Sequence, residues 1–262
     1  MQKQIVHLNH IRHSLAHLLA MAVLKKFPGA TLGIGPTIEH GFYYDFLLPK
    51  SIKPEDLAEL EQIMKELIAS SLPFKGKKVE SHEAKKMFKG QPFKLDLIKD
   101  FTKEKKQLTV YTTGKESRSD KKSNTRREEQ DNAYFIDLCR GGHVKSTSQI
   151  NPEAFKLTHI AGAYWKGDEK KPMLTRIYGV AFSKKNVLDE YLRLVEEARR
   201  RDHKKLGPEL DLFTFSDLVG PGLPLWTPKG TMLRDALDNL VWDLRKQNGY
   251  ERVDIPHITK KD

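Results

Sequence analysis

Apolar residues recur at helical spacing over residues 10–27. Ile11, Leu15, Leu18, Leu19, Ala22 and Val23 share one face, and Pro28-Gly29 ends the run, which predicts an amphipathic helix. The texture then changes to TLGIGPTIEHGFYYDFLL over 31–48, where Gly33, Gly35, Pro36 and Gly41 punctuate short extended pieces. Strands joined by tight turns are expected there. Alternation within GFYYDF places Phe42, Tyr44 and Phe46 on one face and Tyr43 with Asp45 on the other. A second helix is predicted over 54–70, opened by Pro54, Glu55 and Asp56 and buried through Leu57, Leu60, Ile63, Met64, Leu67 and Ile68. Ser81 is expected to cap a short helix that ends at Lys89-Gly90.

Aromatic and β-branched residues mark strands over 134–138, 155–165 and 173–182. A long polar helix is predicted over 184–206, with Arg199, Arg200, Arg201, Lys204 and Lys205 in its last turns and Gly207-Pro208 as its stop. Beyond it, VGPGLPLWTPKG is turn-rich. TMLRDALDNLVWDLRKQNG is strongly amphipathic through Leu233, Ala236, Leu237, Leu240, Val241 and Leu244, and YERVDIP reads as a strand. The pattern as a whole is α+β, with a domain boundary near residue 207.

Composition narrows the function classes. The chain has 262 residues, 38% hydrophobic and 31% charged, which is enough apolar material for a core and excludes wholesale disorder. No apolar run approaches the roughly 18–20 residues of a membrane helix, and the N-terminal stretch lacks a secretory pattern. A lone cysteine, Cys139, excludes an internal disulfide framework, so a reducing cytoplasm is the expected location. Lys and Arg number 46 against 35 Asp and Glu, a formal net charge of +11. That balance suits a polyanion such as nucleic acid, although solubility alone also accounts for it. Residues 99–127 hold ten basic and four acidic residues, and they read as a long polar hairpin or loop.

Two short motifs carry chemistry. His13 and His17 lie four apart, on one helical face. Cys139 and His143 flank Arg-Gly-Gly at the end of a predicted strand, where paired glycines permit a sharp turn. Together they offer one thiol and three imidazoles, a tetrahedral zinc set. Chance pairs of half-buried histidines are the alternative. His7 and His10 precede the predicted helix and are assigned no role. Asp137 shares the strand face of Cys139 and is placed to orient a histidine. Lys94, between apolar neighbours in QPFKLDLI, is expected against a pocket wall, as a usable acid or base, or else snorkelling to solvent. Tyr43 and Tyr44 are candidates to line a substrate pocket. The Gly141 and Gly142 amides are candidates for an oxyanion.

These residues resemble a known family. HSLAHLLAMAV, LGIGPTIEHGFYYDF, PFKLDLI, DLCRGGH and FKLTHIAGAYWKGD…MLTRIYGVAF are similar to the editing half of bacterial threonyl-tRNA synthetases. The likeness continues through LDEYLRLVEEARRRDHKKLGPELDLF, LPLWTPKGTMLRDAL and GYERVDIP, the last resembling class II motif 1 and closing at Pro256. Alanyl-tRNA editing proteins share the two His/Cys pairs, but GPTIEHGFYYDF looks threonyl.

The resemblance implies an editing domain over 1–183, a linker helix over 184–206 and the opening of a class II catalytic domain over 207–262. It implies hydrolysis of seryl-tRNA(Thr) at a site built from His13, His17, Lys94, Asp137, Cys139 and His143; metal occupancy differs between the threonyl and alanyl branches, and Zn2+ on the four His/Cys donors is the reading from spacing alone. ATP, Mg2+ and a homodimer belong to the full-length family. The family's usual proline is replaced by Gly142, and motifs 2 and 3 would follow residue 262, so threonyl-adenylate synthesis is not expected. The other readings are a non-catalytic tRNA-binding module with a structural zinc site and an alanyl-type deacylase.

Overall fold

The first apolar stripe is a helix, α1 (Gln2–Lys26), and it begins well before residue 10 because nothing in Gln2–Asn9 breaks a helix. His7 and His10 are therefore helical, a correction to their predicted place ahead of it. A computed structural model describes residues 2–114, 134–220 and 222–255. The chain divides into two compact units, residues 1–191 and 192–262.

In the first unit the order is α1, β1 (Thr31–Leu32), β2 (Thr37–Ile38), β3 (Gly41–Leu47), α2 (Asp56–Ala69), β4 (Phe74–Val79), α3 (Ser81–Met87), α4 (Pro92–Lys103), β5 (Leu108–Thr113), β6 (Phe135–Leu138), β7 (Phe155–Tyr164) and β8 (Met173–Ala181), followed by α5 (Lys185–Arg200). Five strands form an antiparallel sheet in the order β1-β3-β8-β7, with β2 paired to β3. The order β4-β5-β6 makes a second antiparallel sheet. Period-2 alternation sets the faces. Phe42, Tyr44 and Phe46 of β3 are fully buried and join the core with Leu15, Leu18 and Leu19 of α1 and Leu60 and Met64 of α2. β3 and β8 approach so closely that a Cβ on Gly41 would lie 1.9 Å from the Gly179 carbonyl oxygen, a position only glycine fills.

The basic stretch 99–127 is not one loop. Residues up to Lys103 end α4, and 108–113 are β5 of the second sheet; residues 115–127 lie outside those described. β4 and α4 carried no predicted label. In β4 only Phe74 and Val79 are buried and the four residues between are exposed, so the strand shows no alternation to read. In α4 the stripe of Phe93, Lys94 and Ile98 is interrupted by a buried lysine. Ser81 opens α3 but does not cap it: Glu80 holds the cap position, and the Ser81 hydroxyl bonds Thr102 Oγ1 at 2.9 Å.

The predicted helix over 184–206 is two helices. Asp202 accepts from the Lys204 N–H at 2.8 Å and starts α6 (His203–Glu209), so Gly207-Pro208 lie inside that helix. The second unit continues with a hairpin of β9 (Phe213–Thr214) and β10 (Leu225–Trp226), then α7 (Pro228–Gln247), capped by Thr227. Residues 250–255 form no strand, because no described strand lies beside them to pair with; Pro256 lies outside the described residues. No helix among the described residues is long and apolar enough to cross a membrane.

Candidate active site

The two signature pairs close on each other. α1 carries His13 and His17 one turn apart, with ring centroids at 5.3 Å. β6 ends at Leu138, and Cys139 extends its ladder by donating N–H to the Thr109 carbonyl at 3.1 Å. Gly141 and Gly142 then take φ of +97° and +84° and turn the chain back. A proline at 142, which the family resemblance suggests, is fixed near −65° and cannot make this turn. The reversal brings His143 Nε2 to 3.1 Å from Cys139 Sγ, while His13 Nε2 lies 3.4 Å from the same sulfur. One ligand atom from each of His13, His17, Cys139 and His143 lies within 4.8 Å of all the others.

Ser14 fastens this turn to α1. Its hydroxyl bonds His143 Nδ1 at 3.2 Å and accepts from the Val144 N–H at 3.2 Å. No sequence signal marked Ser14, which is one apolar-stripe neighbour among several. Phe74 of β4 stacks on His143 with centroids 5.0 Å apart, and Tyr111 of β5 packs against it at 4.7 Å.

A second, fully buried group stands behind His17. Asp137, two residues before Cys139, ion-pairs with Lys94 of α4. Tyr44 OH donates to Asp137 Oδ2 at 2.6 Å and accepts from Lys94 Nζ at 3.0 Å. Asp137 Oδ2 also faces His17 Nε2 at 3.6 Å. Lys94 is 1% exposed, so it does not snorkel to solvent; a buried ammonium needs a carboxylate, and Asp137 is that partner. Tyr43 is not brought to the cluster. It lies on the other sheet face, beneath Arg176 at 3.8 Å, and Arg176 in turn makes a two-pronged pair with Asp45 at 2.7 and 2.9 Å.

Burial decides the protonation states. It lowers the pKa of His13 and His143 and lowers that of His17 well below the ordinary value, so all three are neutral imidazoles near pH 7. The Cys139 thiol is pushed up to about 12 by burial. Burial, then the Asp137 charge, raises the Tyr44 phenol well above its usual range, so it stays a donor. The Gly141 N–H, a candidate for the oxyanion, is already engaged: it donates to Cys139 Sγ at 3.2 Å.

The donor set fits a tetrahedral zinc ion. Zn–S and Zn–N bonds of about 2.0–2.3 Å put neighbouring ligand atoms roughly 3.5 Å apart. The two sulfur–nitrogen distances, 3.1 and 3.4 Å, are near that. In addition His17 Nδ1 is buried without a hydrogen-bond partner among the described residues.

The family described as the threonyl and alanyl tRNA synthetase second additional domain matches residues 108–178, which include Asp137, Cys139 and His143. A threonine–tRNA ligase of Dehalococcoides mccartyi is 46% identical over 260 residues, 99% of this chain and 41% of its own length. That of Gloeobacter violaceus is 45% identical over 257 residues, 97% of this chain and 38% of its own. The chain belongs to the threonyl-tRNA synthetase family. A Thermotoga maritima threonine–tRNA ligase extends the likeness at 42% identity, over 94% of this chain and 36% of its own length. The chain thus spans about two fifths of the length of these curated relatives.

Proposed function

We propose that this chain hydrolyses the ester of mischarged seryl-tRNA(Thr). In this reading 1–183 is the editing domain, 184–206 the linker and 207–262 the opening of a class II catalytic domain. The observation that carries it is the convergence of three neutral imidazoles and a thiol on a buried Lys94–Asp137–Tyr44 network. The acceptor end of tRNA(Thr) is the partner, and the +11 charge suits its phosphates.

The roles follow from exposure. His13 and His143 are half-buried and face the approach, whereas His17 is sealed. With no metal on the four His/Cys donors, a neutral His13 accepts the proton of the attacking water; as a zinc ligand its nitrogen would be spent. Lys94 stands behind His17 and pairs with Asp137; Asp137 orients the His17 ring. The Gly142 N–H is left to stabilise the oxyanion, since that of Gly141 is held by the thiol. With its thiol protonated, Cys139 is a weak nucleophile and no acyl-enzyme is invoked. His13, His17, Cys139 and His143 would hold a zinc ion, which when bound would supply the positive charge that keeps Cys139 a thiolate.

A separate hydrolytic site has a physical reason. Serine lacks one methyl of threonine, worth only about 1–3 kcal/mol in a binding pocket. A second site can exclude threonine by clash instead. The test is deacylation of seryl-tRNA(Thr) and threonyl-tRNA(Thr) side by side. Seryl ester is expected to disappear while threonyl ester is spared. Failure to hydrolyse either ester overturns the proposal.

A further inference from the structure

Lys94 sits in the first turn of α4, and the turn between β7 and β8 grips that same helix. Trp165, 5% exposed, packs on Phe93 with centroids 4.9 Å apart, in a small cluster shared with Leu174. Its indole N–H donates to Asp96 Oδ2 at 2.9 Å. The next residue, Lys166, reaches Asp96 Oδ2 at 2.6 Å and also pairs with Asp100. Asp96 and Asp100 are four apart, on one face of α4. Phe93 and Asp96 thus bracket Lys94 and are both held from the sheet.

The backbone marks the same place. Lys166 is a non-glycine residue in the left-handed region, with φ 56° and ψ 24°. That conformation is strained for a residue with a Cβ and persists only where surroundings enforce it. Here it aims one ammonium at two carboxylates of α4. The reach is needed because a lysine side chain is long and flexible: burial alone does not fix Nζ, whereas a fixed helix does.

We propose that Trp165 and Lys166 are positioning residues, a clamp that sets the first turn of α4 and so places Lys94 against Asp137 and Tyr44. This rests on the hydrolytic reading above for its catalytic consequence, but the placement of Lys94 is measurable without it. The clamp touches no reacting atom; it acts through Lys94, Asp137 and the His17 ring.

The experiment uses the whole chain and Lys166→Ala, with Lys166→Arg as rescue and Trp165→Phe as an independent cut of the indole N–H bond. Two quantities are read: kcat and KM on seryl-tRNA(Thr), and the rate at which an amine-acylating reagent labels Lys94, followed by peptide mass spectrometry. In Lys166→Ala we expect kcat to fall about 10- to 100-fold, the scale of a small misplacement at a catalytic group, with KM held. Labelling of Lys94 should rise about tenfold through local opening. Lys166→Arg should restore both, and Trp165→Phe should move both the same way. The melting temperature should stay within a few degrees, because Lys166 is a surface residue. Unchanged Lys94 labelling in both loss variants overturns the clamp, as does faster labelling with unchanged kcat. If the unaltered chain proves hydrolytically inert, the hydrolytic reading falls; faster labelling of Lys94 in the variants still supports its placement by the clamp, and unchanged labelling refutes it.

Discussion

Helices α1 and α7 carry similar apolar stripes, and their surroundings differ. On α1, Leu15, Leu18 and Leu19 are 0% exposed. On α7, Leu237, Leu240 and Leu244 are 54%, 57% and 52% exposed. The stripe fixes a helix in both cases, because its period is a property of the segment. Coverage depends on what else the chain folds into. α1 has the broad apolar face of β3 and β8 to lie on, while the described part of the second unit offers only the two-residue strands β9 and β10. The contrast reaches function. Side chains on a covered helix have few rotamers left, so His13 and His17 stand where the core puts them.

The largest expected effect separates the two helices directly. Leu19→Ala should lower the unfolding free energy by about 2–5 kcal/mol, since it empties a sealed position. Leu240→Ala should change it by no more than about 0.5 kcal/mol. Denaturant titration of both variants checks this. Equal losses would mean that α7 is covered in solution.

Zinc sharpens the comparison next. All four candidate donors lie in the first unit, so zinc at about a hundred times its Kd should raise the stability of that unit by about 2.7 kcal/mol. The transition of the second unit should not move. Binding should release one proton from Cys139, because burial keeps the free thiol protonated. Calorimetry with and without zinc, and with Cys139→Ser as control, reads all three. A melting curve indifferent to zinc removes the metal from this site.

What was legible in the chain followed one rule: spacing along a single element could be read, and meetings between elements could not. The i, i+4 pair on α1 and the Cys139-to-His143 turn were visible because each is local. Asp137 was legible through strand alternation with Cys139. The alternation of GFYYDF was legible too and put Tyr44 on the face of Phe42 and Phe46, but it gave no sign that the Tyr44 hydroxyl bonds Asp137 and Lys94. Lys94 was singled out by its apolar neighbours, on a pocket wall or snorkelling to solvent, without its partner, since Asp137 comes from β6, far along the chain. Ser14 and Tyr111 left no mark, because hydroxyl and ring contacts across elements have no period. The helix break at Asp202 was hidden by continuous helix-favouring residues on both sides, and the cap that makes it is one side-chain bond.

The smallest expected effect concerns charge. In the first unit Asp96 has its carboxyl held below the usual range, first by Lys166 and then by the Trp165 indole N–H. Because the folded carboxyl titrates below the unfolded one, its contribution is fully present above an unfolded pKa of about 3.9 and is lost as pH falls through the folded value. The Asp96 side chain is 39% exposed, so solvent screening limits that contribution to about 1 kcal/mol or less. In the second unit Asp238 meets Arg252 at 3.4 Å in a single exposed contact. Asp96→Asn should therefore cost measurably at pH 7, and the gap to the unaltered chain should close as unfolding is followed down to acid pH. Asp238→Asn should cost no more than about 0.5 kcal/mol at pH 7. If the Asp96→Asn gap stays open in acid, Asp96 acts through packing of the turn and not through its charge, and the two units differ in burial alone.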